Sequence, residues 1–103
     1  MKIIPEPITF EWDKGNSEKN RTKHGVENRE TEEAFVNKPF IVRKDITHSI
    51  KEQRYQALGK TKKRILLFLS FTIRMEKIRI ISVRYMNKKE RTIYEKIEKN
   101  TNI

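Results

Sequence analysis

The sequence has no cysteine and only two histidines, which removes thiol nucleophiles, thiolate zinc sites and iron–sulfur clusters from the chemistry open to it. His24 and His48 fall on different expected elements, neither with a companion at ligand spacing, and no acidic cluster suits a two-metal centre. Three scattered glycines do not make a phosphate-cradling loop. What remains is chemistry that needs only His, Lys, Arg, Tyr and Glu, without metal or cofactor. RNA suits that set because its own 2′-hydroxyl is the nucleophile. A protein has only to orient that group, move protons and neutralise the phosphorane with cations.

The candidates are few. Asn20, Lys23 and His24 stand at i, i+3 and i+4 and share one helix face. The end of the helix dipole favours a protonated His24, which suits phosphate binding or acid catalysis, although Lys23-His24-Gly25 is equally an ordinary helix stop. Arg84 closes a β-rich run and is the expected phosphate clamp, since a guanidinium binds phosphate in a fork and stays charged. Arg79 lies in the same run at the other parity, so a regular strand points it to the opposite face, where it forms a structural ion pair. Glu52, Arg54 and Gln56 share a strand face opposite Tyr55, and Glu52 and Gln56 read as sheet surface. Arg64 ends a basic turn with Lys62 and Lys63; these two and Lys88 and Lys89 read as a grip on a nucleic-acid backbone or as solvated surface. Phe10 and Trp12 read as core.

Charge narrows the partners. Twenty-four Lys and Arg against fourteen Asp and Glu give +10; residues 1–50 are balanced at nine of each, and residues 51–103 carry fifteen basic and five acidic side chains. Such a field draws polyanions: nucleic acid, an acidic protein or an anionic membrane surface. No apolar run approaches the ~20 residues of a membrane span, and no signal-peptide core follows Met1-Lys2-Ile3-Ile4. A cytoplasmic chain without a membrane role is expected.

The elements that must position these residues follow from periodicity. Ile8 to Trp12 alternates as a short strand, a capped helix ends at Gly25, and a second helix spans about Glu27 to Asn37 until Pro39 bars it. Strands follow at Phe40-Ile41-Val42, at Gln53 to Gly59, at Arg64 to Ile73, apolar on both faces and hence central, and at Lys77 to Tyr85. Short connections make the last three antiparallel. Asn87-Lys88-Lys89-Glu90 is a capping box opening a helix with Ile93, Tyr94 and Ile97. The expectation is one α+β domain over 1–103, a single curled antiparallel sheet of four to five strands with two N-terminal helices and one C-terminal helix. Its core spans about 8–97 and its tail frays over 98–103.

With these residues in place, the sequence resembles the BrnT family of RelE-like toxins. The likeness runs through Phe10-Glu11-Trp12-Asp13, Asn20, Lys23-His24-Gly25-Val26, Ala34-Phe35, Arg54-Tyr55, Leu58-Gly59, Arg64, Arg79-Ile80-Ile81-Ser82-Val83-Arg84, Glu90 and Tyr94-Glu95. It departs at Asn16, where a Lys is usual, at Asn28, and at Tyr85-Met86. The resemblance implies a ribonuclease that inhibits translation and is neutralised by a BrnA-type antitoxin with a ribbon-helix-helix DNA-binding part, DNA being met only through that complex. It also implies that His24, Arg64 and Arg84, then Lys23 and Tyr55, lie at or near an RNA cleft. A non-catalytic basic module that grips RNA or the antitoxin is the alternative; a sequence-specific DNA-binding protein would need a recognition helix not seen here.

Overall fold

The computed structural model describes residues 3–16, 25–48 and 50–101. Its elements are helix α1 (Asn28–Val36), strands β1 (Ile41–Lys44), β2 (Arg54–Lys60), β3 (Leu66–Arg74) and β4 (Lys77–Tyr85), and helix α2 (Lys88–Thr101). The strands form one antiparallel sheet in the order β1-β2-β3-β4, so the fold is α+β as the sequence pattern predicts. Residues 14–16 are helical, and the rest of the first expected helix lies outside the described residues. The strand expected at Ile8 to Trp12 is reduced to a single parallel bridge, Phe10 to Ile78, with Glu11 N–H donating to the Ile78 carbonyl and Ile78 N–H to that of Thr9. No helix among the described residues is long and apolar enough to cross a membrane.

α1 begins where Glu27 and Glu30 satisfy each other's backbone N–H groups in a capping box. It lays Thr31, Ala34 and Phe35 onto one face of the sheet. That face supplies Ala57, Leu67, Leu69, Phe71, Ile78, Ile80 and Val83, all buried, and burial of such side chains is the dominant favourable term of folding. Phe35 is the hub: the rings of Phe10, Phe40 and Phe71 lie 5.1, 4.7 and 5.1 Å from its own. Phe10 and Trp12 pack on this core as expected, and Trp12 Nε1 donates to Glu32. α1 approaches β2 so closely that a Cβ on Gly59 would stand 3.1 Å from the Ala34 carbonyl oxygen and 3.1 Å from Phe40.

α2 crosses the opposite face at one end of the sheet, and it is tethered more than it is packed. The expected capping box is present: Glu90 N–H donates to Asn87 Oδ1 and Asn87 N–H to Glu90 Oε1. Glu90, Tyr94 and Glu98 then follow at four-residue spacing along one helix face. Glu90 accepts Arg84, the buried Tyr94 hydroxyl donates to the Pro39 carbonyl at 2.6 Å, and Glu98 accepts Arg64 and Lys60. Ile93 and Ile97, which the periodicity predicts as packing residues, keep 44% and 36% of their surface exposed. α2 runs as far as Thr101, and Glu98 is its third tether. The Arg64 and Lys60 cations hold the Glu98 carboxyl well down, to about 2.

Two outcomes check this packing. Gly59→Ala forces the Ala34 backbone or the Phe40 ring to move and destabilises by about 1–3 kcal/mol, read as a lowered midpoint in denaturant. Glu98, depressed in the folded state, contributes stability above the unfolded carboxylate range that is lost as pH falls from about 4.5 toward 2. Glu98→Gln therefore costs about 1–3 kcal/mol at pH 7 and much less at pH 2, where a large part of the Glu98 carboxyl is protonated, as denaturation at the two pH values measures.

Candidate functional site

The face of the sheet turned away from α1 is lined by arginine. Directly paired residues of an antiparallel sheet share a face, and three rungs define this one. Arg43 pairs with Gln56, which pairs with Ser70, which pairs with Ser82; Arg54 pairs with Thr72 and Thr72 with Arg79; Leu58 pairs with Phe68 and Phe68 with Arg84. Arg74 lies at the end of β3 on the same face. Arg79 and Arg84 are thus neighbours on one surface, where alternation along a regular strand separates them. The reason is a β-bulge: Ser70 pairs with Ser82 but Phe71 with Ile80, so Ile81 is an extra residue in β4. The bulge shifts the phase by one, keeping Ile80 and Val83 both buried and both arginines on the other side.

Acids hold most of these guanidinium groups in fixed positions. Arg84 donates from both terminal nitrogens to the two Glu90 oxygens at 2.8 and 2.9 Å, and its guanidinium carbon lies 4.1 Å over the Phe68 ring. Stacking and a carboxylate fork together lock its plane. The Arg84 hydrogen bonds hold the Glu90 carboxyl below its ordinary range. Arg74 makes an equal fork to Glu52, both bonds 3.0 Å, and lowers that carboxyl likewise. Arg79 bridges Glu11 and Asp13 of the N-terminal segment, whose carboxyl is lowered first by the Asn16 backbone N–H and then by Arg79. The expected structural pair of Arg79 is therefore present, on the face that Arg84 shares. Arg43 donates twice to Gln56 Oε1, and Gln56 Nε2 donates to Asp45. Glu52 and Gln56, read from sequence as plain surface, are parts of this network.

Of the residues singled out from sequence, Arg84 lies on this face. Arg64, at φ 64° in the β2–β3 turn, makes its fork with Glu98 and lies two turns of α2, about 12 Å of helix axis, from the Glu90 that holds Arg84. Tyr55 is on the α1 side, its ring stacked 5.4 Å from that of Phe71. Lys62 and Lys63 are exposed at the β2–β3 turn, where Lys62 N–H donates to Glu33, and Lys88 and Lys89 are exposed in the first turn of α2. Lys23 and His24, with Asn20, lie outside the described residues. Asn16, the departure from Lys, is buried; it exchanges hydrogen bonds with Asp13 and donates to the Ile80 carbonyl beside the bulge.

Sequence reasoning missed one group. His48 Nδ1 lies 3.1 and 3.0 Å from the two Asp45 oxygens, and His48 lines an open hollow of about 510 Å³ with Lys51, Glu52, Arg54 and Arg74. The signal was the Asp45-Ile46-Thr47-His48 spacing just after β1. Among the described residues no three His, Asp or Glu side chains gather as metal ligands.

A family model described as the ribonuclease toxin BrnT of type II toxin–antitoxin systems matches residues 12–90, most of the chain. No curated protein matches it. The match ends at the Arg84 partner, which the geometry makes doubly employed, in the α2 cap and in the arginine fork. Glu90→Ala is therefore expected to cost about 2–4 kcal/mol in chemical denaturation, more than Lys89→Ala, which changes stability by about 0.5 kcal/mol at most.

Proposed function

Since the chain belongs to the BrnT family of ribonuclease toxins of type II toxin–antitoxin systems, we propose that it is a metal-independent endoribonuclease of the cytoplasm that holds RNA across the arginine face of its sheet. The observation that carries this reading is the gathering of Arg43, Arg54, Arg74, Arg79 and Arg84 on one surface, interleaved with Ser70, Thr72 and Ser82. Phosphates would line the arginine rungs, and the Ser70 and Ser82 hydroxyls would meet the ribose, while the buried Thr72 hydroxyl donates to the Gln53 carbonyl. Arg84 clamps a backbone phosphate at the α2 end of the face: Glu90 and Phe68 hold its fork ready, and a phosphodiester displaces or shares the carboxylate to reach it. Cleavage by the 2′-hydroxyl then leaves a cyclic phosphate and a free 5′-hydroxyl, with guanidinium groups supplying the positive charge that a metal supplies elsewhere. Loss of intact RNA stops translation. Lys88 and Lys89, near Arg84 in sequence, extend the grip along the backbone, while Lys62 and Lys63 reach it only with longer RNA.

The neutralising partner is an antitoxin of the BrnA type, which would cover the same cations with acidic side chains and bring the pair to DNA through a ribbon-helix-helix part. His24 and Lys23 stay in this proposal as further cations of the cleft, and Arg64 and Tyr55 as residues that fix the elements around it.

The test is cleavage of single-stranded RNA in EDTA by the wild type and by Arg84→Ala. The wild type is expected to cut, leaving 2′,3′-cyclic phosphate ends, and Arg84→Ala, which holds the RNA less tightly, to cut about 10–100-fold more slowly at sub-saturating RNA. Cleavage lost on chelation, or equal cleavage by both proteins, overturns the proposal. RNA retained intact by the wild type favours the binding module instead.

A further inference from the structure

We infer that His48, oriented by Asp45, is the proton acceptor for the 2′-hydroxyl, and that the hollow it shares with Lys51, Arg54 and Arg74 receives the ribose and phosphate being cut; this rests on the endoribonuclease reading above. The β1–β2 loop brings the pair together. Asp45 directly follows β1, its backbone N–H on the Arg54 carbonyl at 2.8 Å, and is 8% exposed, while its carboxylate accepts Gln56 Nε2 at 3.2 Å and the His48 backbone N–H at 3.4 Å. A buried acid fixed to the sheet by two bonds and to its own loop by a third makes a rigid mount. The His48 side chain, by contrast, is 62% exposed.

That asymmetry argues for chemistry. A carboxylate on Nδ1 selects the tautomer with the proton on Nδ1 and the lone pair on Nε2, the arrangement a general base requires. Nε2 has no hydrogen-bond partner among the described residues. His48 lines a hollow of about 510 Å³, within the size range of small-ligand sites. The charged groups that face it are Asp45 from its own loop, Lys51 and Glu52 before β2, Arg54 at the start of β2 and Arg74 at the end of β3. The cations outnumber the acids at the hollow's wall, as a phosphodiester demands.

The step balances without a co-reactant. Nε2 takes the proton of the 2′-hydroxyl as the 2′-oxygen bonds to phosphorus, and the bond from phosphorus to the 5′-oxygen breaks. The leaving 5′-oxygen takes a proton from water, and the hydroxide so formed is neutralised by the imidazolium, which returns to its starting state. The products are a 2′,3′-cyclic phosphate and a 5′-hydroxyl.

The experiment uses the full chain, with single-turnover cleavage of an RNA oligonucleotide in EDTA and binding of its 2′-O-methyl analogue by fluorescence anisotropy. His48→Ala is expected to slow cleavage about 10²–10⁴-fold with binding of the analogue unchanged, and added imidazole to restore part of the rate. Asp45→Asn slows cleavage about 10–100-fold by releasing the tautomer. A wild type that cleaves while His48→Ala cleaves equally well overturns this inference alone, as does a loss of cleavage matched by a loss of analogue binding. A wild type that binds and never cleaves overturns the endoribonuclease reading and this inference with it.

Discussion

One extra residue, Ile81, decides what this sheet can do. The core needs Ile78, Ile80 and Val83 buried against α1, and alternation cannot deliver Ile80 and Val83 to one side, three residues apart. The bulge resolves the conflict by letting Ile81 stand unpaired between the Ser82 and Ile80 rungs. The same phase shift moves Arg84 to the side of Arg79, so a demand of packing creates an arginine-lined surface. Asn16 braces the spot from outside, its amide donating to the Ile80 carbonyl, and Arg79 ties the N-terminal segment there through Glu11 and Asp13.

A surface so rich in guanidinium groups repels itself, and the carboxylates of Glu11, Asp13, Glu52 and Glu90 offset that repulsion in the absence of any ligand. They also hold the forks in place, so little side-chain entropy is lost when a phosphate arrives. The arrangement sets up a competition in which a polyanion must displace or share each acid. A diester with several phosphates in register does this better than a single ion. The same logic suits an acidic partner chain, which links the cations' two roles in a toxin that must be both active and silenced.

Much of this was legible in the sequence. Alternation and turn chemistry placed β1 to β4 and the centrality of β3, a capping box marked the start of α2 and Pro39 the end of α1, because these signals are local. The likeness at Arg79-Ile80-Ile81-Ser82-Val83-Arg84 singled out β4, yet parity misassigned the relation of its two arginines, since a bulge arises from tertiary packing and leaves no local trace. α2 shows the same limit from the other side. Ile93 and Ile97 gave the apolar stripe, but Arg64, Lys60 and Pro39, distant in sequence, tether the helix through Glu98 and Tyr94. The Asp45–His48 pair was hidden because it carries no metal spacing, and only the sheet shows that its acid is buried and its imidazole open.

The central claim is that Arg79 and Arg84 act on one ligand from one face. NMR titration of the ¹⁵N-labelled protein with a short 2′-O-methyl RNA tests it directly through the guanidinium Nε–H signals. The account predicts that Arg43, Arg54, Arg79 and Arg84 shift together along one binding curve, while the amides of α1 stay in place. Movement of Arg84 without Arg79, or shifts centred on α1 and the Lys62–Lys63 turn, would contradict it.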